Sequence, residues 1–302
     1  MLAVGRIGLA ENDPAELGAA VVACWDAFLE VATDPATDLT RASRLPGWTG
    51  ADTCIHLGQW PDSAPLASLL ASARSDGAGE AGSPDGGNAR LVAAHRAEGV
   101  DGVLAALVRA RDTLADWFDG PHPGDEGPAA VGRHVSSSAV GPLPVLSLVH
   151  AATYELAVHA LDLAPCGAPT PDPLLLDRGL AALLDVTGAL AARASVRTSV
   201  TAQTPVYGWT ATSTGDGWTV ERTLGQPSGP GVRGTVEDLL DTSAGRTNLG
   251  QLLLSRRLVV QDLRGFMSLA PLLHDVPGLP GGAVLRGAVG GLGRVSRLLR
   301  LS

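Results

Sequence analysis

A chain of 302 residues is long enough for two domains of ordinary size, and a hydrophobic content of 45% excludes a mainly disordered polypeptide. The net charge is −9, and all 22 basic residues are arginine, with no lysine, so no basic nucleic-acid surface is expected. Cys24, Cys54 and Cys166 are too few and too scattered for a disulfide framework or a cysteine-based zinc knuckle, and Cys24 and Cys54 read as buried structural thiols.

The N-terminus is briefly apolar but reaches acidic residues too soon for a signal peptide. No apolar run reaches the roughly 20 residues that span a bilayer, so a soluble cytoplasmic protein without stable membrane insertion is expected. Asp13-Pro14 reads as a helix cap and first-turn proline, opening an amphipathic helix over 14–33. The Pro46-Gly47 turn and Thr49 as cap predict a second helix from Gly50 to about Gln59, with His56 on an otherwise apolar face. A lone histidine there is ordinarily a hydrogen-bonded core residue, and Trp48 either walls a pocket or staples the turn. Helical pattern returns from Leu66 to Arg74. The stretch 75–90, rich in Gly and Ser, reads as a loop, and it is no phosphate loop because it follows no strand and lacks lysine.

A further helix is predicted over Gly99–Phe118, then a Pro- and Gly-rich connection over 119–144 in which His122 and His134 read as solvated. The helix Leu143–Leu163 follows, closed by Pro165 and Gly167. Four helices with modest loops predict an antiparallel bundle over 1–168, an architecture that builds metal sites from facing side chains. Beyond it, 169–302 changes character. A helix over 171–194 precedes runs rich in Thr, Val and Trp at 196–203, 206–214 and 217–225. Helices over 236–244 and 266–273 and a strand at 258–262 complete a small α+β domain with an antiparallel sheet, ending in a Gly- and Arg-rich tail read as frayed or docking.

Within 143–163, Glu155 and His159 differ by roughly 40° around the helix axis, whereas His150 and His159 differ by roughly 180°. Glu155 and His159 therefore share a face, and His150 points elsewhere. Leu148, Leu156, Val158, Leu161 and Leu163 surround the pair, so an unpaired Glu and His would be costly unless a cation joined them. His56 is the candidate third ligand. A Glu–His hydrogen bond at the end of a core helix is the alternative that spacing leaves open.

Leu45-Pro46-Gly47-Trp48-Thr49 followed by His56, the Glu155-x3-His159 helix ending in Leu161-Asp162, and the α+β half together resemble one family over roughly 14–275. It is the mycothiol-dependent maleylpyruvate isomerase family, whose N-terminal half is a DinB-like metal-binding bundle and whose C-terminal half is similar to sterol-carrier domains. The resemblance implies His56, Glu155 and His159 as ligands of a divalent metal, usually zinc, and mycothiol as thiol cosubstrate. The stretch from Gly234-Thr235 to Gly245-Arg246 matches the family's C-terminal motif and makes Arg246 the candidate for anchoring substrate or thiol, with a surface salt bridge as its alternative. The implied activity is isomerase or thiol S-transferase chemistry, a metal-activated thiolate adding to a small-molecule electrophile such as an unsaturated diacid. A binding or regulatory protein that keeps the fold is the competing reading. The lack of lysine, with abundant Ala, Gly, Leu and Arg, reflects GC-rich codon usage and points to an actinobacterial source.

Overall fold

The computed structural model describes residues 13–75, 84–122, 127–225 and 229–262, with Gly8, Gly265 and Leu272. Helix α1 (Pro14–Thr33) starts where Asp13 accepts the Ala15 amide and Pro14 occupies the first turn, whose amide would have had no helical partner. A loop turning through Gly47, at φ +78°, leads to α2 (Gly50–Leu57). Helices α3 (Pro65–Arg74), α4 (Pro84–His95), α5 (Gly99–Asp119) and the short α6 (Pro128–Val131) follow, then a two-residue hairpin ladder, β1 (Val135–Ser136) with β2 (Leu143–Pro144). Helix α7 (Val145–Asp162) runs through the core, buried over most of its circumference. Both α1 and α2 pack against α5 and α7, so α2 and α7 face one interior, as the bundle reading requires.

Helix α8 (Pro173–Arg193) lies along α7. Gly179 permits the close approach, since a Cβ there would come within 2.4 Å of the Ala157 Cβ. The other side of α8 carries a five-stranded sheet in the order β5-β4-β3-β6-β7, formed by β3 (Arg197–Gln203), β4 (Gly208–Thr214), β5 (Trp218–Thr223), β6 (Gly231–Arg233) and β7 (Val259–Gln261). Alternate residues Val200, Ala202, Trp209, Ala211, Trp218 and Val220 are buried, as a half-covered sheet demands. Helix α9 (Val236–Ser243), capped by Thr235, returns to pack on α7 and α8, and α10 (Leu249–Leu254) precedes β7. The fold class is α+β, helices first and sheet second, and one apolar cluster joins both halves.

Several elements differ from the sequence reading. The end of the predicted 75–90 loop is the start of α4, where Val92 and His95 are the buried positions. One such pair is too sparse a stripe to register as periodicity. The 119–144 connection holds α6 and the β1–β2 ladder. The sheet is antiparallel except that β6 runs parallel to β3, Thr201 opposite Gly231, because the chain crosses from the β5 edge to the far side of β3. Strand β6 and helix α10, three and six residues long, carry too little pattern to be read locally. The predicted 266–273 helix lies almost wholly outside the described residues, as does the tail. Among the described residues, no helix is long and apolar enough to cross a membrane.

Candidate metal centre

Each functional side chain is placed by a local device. The Thr49 amide donates to Asp52 Oδ2 at 2.9 Å while the Asp52 amide donates to Thr49 Oγ1 at 3.1 Å, a reciprocal cap that fixes the start of α2. Arg96 grips the same carboxylate with Nε and Nη2, both at 2.9 Å. Burial alone would raise the Asp52 pKa, but the Arg96 and Thr49 hydrogen bonds outweigh it and hold the carboxyl below its ordinary range. Two turns are all that α2 then needs to deliver His56 from its last turn toward α7.

On α7, Glu155 and His159 stand one turn apart. His159 Nε2 lies 3.4 Å from Glu155 Oε2, and His56 Nε2 lies 3.7 Å from the same oxygen. The His56 and His159 rings meet edge to face at 5.1 Å, and Trp48 packs edge-on to His56 at 6.0 Å, closing one flank. One ligand-type atom from each of His56, Glu155 and His159 lies within 4.8 Å of the others, and among the described residues this is the one such group of three or more. His150 points the other way, as the helix angles required: its Nδ1 sits 3.0 Å from Asp185 Oδ2, and Trp218 Nε1 donates to Asp185 Oδ1 at 2.6 Å. His122 and His134 are half-buried rather than solvated, and neither joins the cluster.

The profile of one family, described as the mycothiol maleylpyruvate isomerase N-terminal domain, matches residues 19–164, a segment that contains all three clustered residues. The match covers just under half of the chain. Two solved structures of mycothiol-dependent maleylpyruvate isomerase, one of them a single-site variant, are similar at 16% identity. The TM-score is 0.45 for the variant, covering 78% of this chain and 88% of the other. For the second it is 0.47, covering 83% and 92%. No curated protein matches the chain at a significant level.

Behind this cluster stands a second layer. His159 Nδ1 is 3.0 Å from Asp162 Oδ2, and since a carboxylate only accepts, Nδ1 carries the proton and Nε2 is the atom turned toward Glu155. Asp162 is fully buried and also accepts from Arg246, at 3.0 Å from Nε and 2.9 Å from Nη2. Arg246, the residue read from sequence as an anchor, thus spends its fork on Asp162, and its Nη1 donates to the Ala244 carbonyl at 3.1 Å. Tyr154 Oη and Ser243 Oγ, 3.0 Å apart, make a further link from α7 to α9.

The electrostatics follow from this crowding. Burial opposes charge on His159, yet its hydrogen bond to Asp162 and the nearby Glu155 carboxylate raise its pKa above the ordinary value. Burial likewise opposes charge on Glu155, but both imidazoles hold its carboxyl well below the usual range. The Glu155 side chain is nonetheless 41% exposed, so water softens that effect and the carboxylate marks the cluster's open side. The donor set suits a divalent cation. With the Nδ1 proton committed to Asp162, Nε2 of His159 faces a carboxylate oxygen at 3.4 Å, beyond a good hydrogen bond. Either a second proton or a cation must fill that gap.

Sequence reading missed Asp162 as the partner of His159, although the i, i+3 spacing on one helix was available to show it. It also missed Arg44 and Asp241, which meet across 197 positions and leave no local signal.

Proposed function

We propose that His56, Glu155 and His159 hold a divalent metal ion, zinc being the expected one, and that the protein is a thiol-dependent enzyme of the maleylpyruvate isomerase type using mycothiol. The observation that carries this reading is the convergence of two imidazoles and one carboxylate from α2 and α7, backed by a buried carboxylate on the outer nitrogen of one ligand. Two His and one Glu with a position left open form the ligand set of catalytic rather than structural zinc. When bound, the metal supplies a Lewis acid that favours the thiolate over the thiol at neutral pH.

The chain's own residues account for the rest. Asp162 holds the His159 ring in one orientation and one tautomer. Trp48 shields the His56 flank from water, while the exposed side of Glu155 leaves access for thiol and electrophile. Arg246, its fork held by Asp162, steadies that carboxylate behind His159. The reaction class is addition of a thiolate to an electrophilic carbon. With an unsaturated diacid, addition converts the double bond to a single bond, rotation follows, and elimination restores the double bond and releases the thiolate. With other electrophiles the adduct itself is the product of S-transfer.

The test is elemental analysis of protein purified without a metal-affinity tag, beside His56→Ala. Near-stoichiometric divalent metal, lost in the variant, is the expected result. No metal in either, even after incubation with zinc, would overturn the reading in favour of a binding protein that keeps the fold.

A further inference from the structure

The C-terminal end of α7 carries an electrostatic problem that the three ligands do not explain. Asp162 is an anion at the negative end of a helix dipole, fully buried, one turn beyond His159. Arg246 meets it from the α9 side. From the opposite side comes Arg44, in the loop that leads into Leu45-Pro46-Gly47-Trp48. The Arg44 amide donates to the Asp162 carbonyl at 3.0 Å, its Nη1 reaches the Leu161 carbonyl at 3.5 Å, and its Nε lies 3.7 Å from Asp162 Oδ1. One residue thus reaches two of the last carbonyls of α7 and places a cation where the dipole favours it.

The same side chain also reaches α9. Arg44 Nη2 donates to Asp241 Oδ1 at 2.6 Å, and the Asp241 carbonyl accepts the Arg246 amide at 2.7 Å. Asp241, Arg44 and Asp162 therefore alternate in sign along one chain of contacts that ends at His159, with Arg246 a second cation on Asp162. Arg44 and Asp241 side chains are 25% and 13% exposed, so solvent screens this pair only partly. Burial pushes the Asp241 carboxyl up, and Arg44 is the foremost group pulling it back.

We infer that Arg44 is a positioning residue of the site: it clamps Asp241 of α9 onto the end of α7 and so holds Arg246 and Asp162 in line behind His159. This rests on the metal-site reading for its consequence in binding, but not for its consequence in the orientation of His159. Loss of the Arg44 side chain keeps its amide on the Asp162 carbonyl but removes the cation from the α7 terminus and the link to Asp241, which frees α9 to drift and take Arg246 off Asp162. His159 then loses the fixed acceptor that orients its ring.

The experiment pairs Arg44→Met and Arg44→Lys with Asp241→Asn, using the full chain. Two readouts are taken, Co2+ affinity with its visible absorption spectrum, and the His159 ring nitrogen resonances in metal-free protein, assigned by their loss in His159→Gln. Wild type is expected to show Nδ1 protonated. Arg44→Met is expected to shift the His159 resonances and weaken Co2+ binding by about 3- to 10-fold, less than loss of a direct outer partner. Arg44→Lys should recover part of both, because an ammonium can reach Asp241 but cannot at the same time bridge to the Leu161 carbonyl and the Asp162 carboxylate. Asp241→Asn, which leaves the α7 cap in place, should fall between wild type and Arg44→Met and serves if Arg44→Met does not fold. Unchanged His159 resonances in the folded variants would overturn the role of Arg44, whatever the metal result. Failure of wild type to bind Co2+ would instead overturn the metal reading, with the His159 resonances still deciding Arg44.

Discussion

Replacing Asp162 by Asn tests how much of the centre's affinity lies outside its ligands. The carboxylate is fully buried and serves only donors: His159 Nδ1 at 3.0 Å on one side, Arg246 Nε and Nη2 at 3.0 and 2.9 Å on the other. Asparagine has nearly the same shape but one acceptor oxygen, so whichever way its amide turns, an NH2 group faces a donor. If the oxygen stays with Arg246, His159 loses its acceptor and with it the bias toward Nε2 as the metal-binding atom. Removing an outer partner of this kind costs about 10- to 100-fold in metal affinity. If the oxygen stays with His159, Arg246 keeps a partly buried charge without its counter-ion. Breaking a buried pair costs about 3 to 5 kcal/mol, and with Arg246 still 21% exposed to water the expected loss of stability is about 2 to 3 kcal/mol. Competition with a chromophoric chelator measures the first effect, and urea unfolding of metal-free protein the second. A folded Asp162→Asn protein that binds zinc as tightly as wild type would refute the claim that Asp162 orients His159.

Asp52→Asn should destabilise the protein by about 1 kcal/mol at pH 7, because it breaks the reciprocal cap and the Arg96 grip on α2. The folded-state pKa of Asp52 is depressed, so its stabilisation is present above the unfolded value near 4 and is lost as pH falls through the folded value. Urea midpoints of the two proteins should therefore begin to converge as pH falls below about 4, and a gap that did not narrow at all on further acidification would contradict the ionic origin of the effect. Asp185→Ala leaves the buried His150 and Trp218 groups without their acceptor and should cost about 2 to 4 kcal/mol in unfolding free energy. Metal affinity should stay at the wild-type value, since this triad lies on the opposite face of α7, and a large loss of metal would show that the two faces are not independent.

Legibility in the sequence followed the distance over which each feature is encoded. Helix α1 was readable because its cap, its first-turn proline and its apolar stripe lie within one stretch, and the same is true of the Thr49 cap that starts α2. Glu155 and His159 were readable because four residues on a helix fix a common face without any tertiary knowledge. The weaker failures have the same root. Among its described side chains helix α4 buries only Val92 and His95, both near its end, and β6 has only three residues, so neither carries enough periodic signal to outweigh its Gly- and Pro-rich surroundings.

The supporting shell of the centre was illegible for a different reason. His56 joins α7 from nearly 100 positions away, and it is a candidate from sequence only through the company of the Glu155–His159 pair and of a known family's motif. Arg44 and Asp241 have no such company. Their 2.6 Å contact exists because α9 folds back onto α7, which in turn depends on α8 and the sheet being in place. The proposed ligands on α2 and α7 thus stand before a carboxylate at the end of α7, and that carboxylate is held by arginines from opposite halves of the chain. Isolated residues 1–168 would retain every proposed ligand yet lose Arg246 and Asp241, leaving Asp162 buried with Arg44 as its remaining cation. Metal affinity in this arrangement is a property of the assembled α+β fold and not of the bundle that carries the ligands.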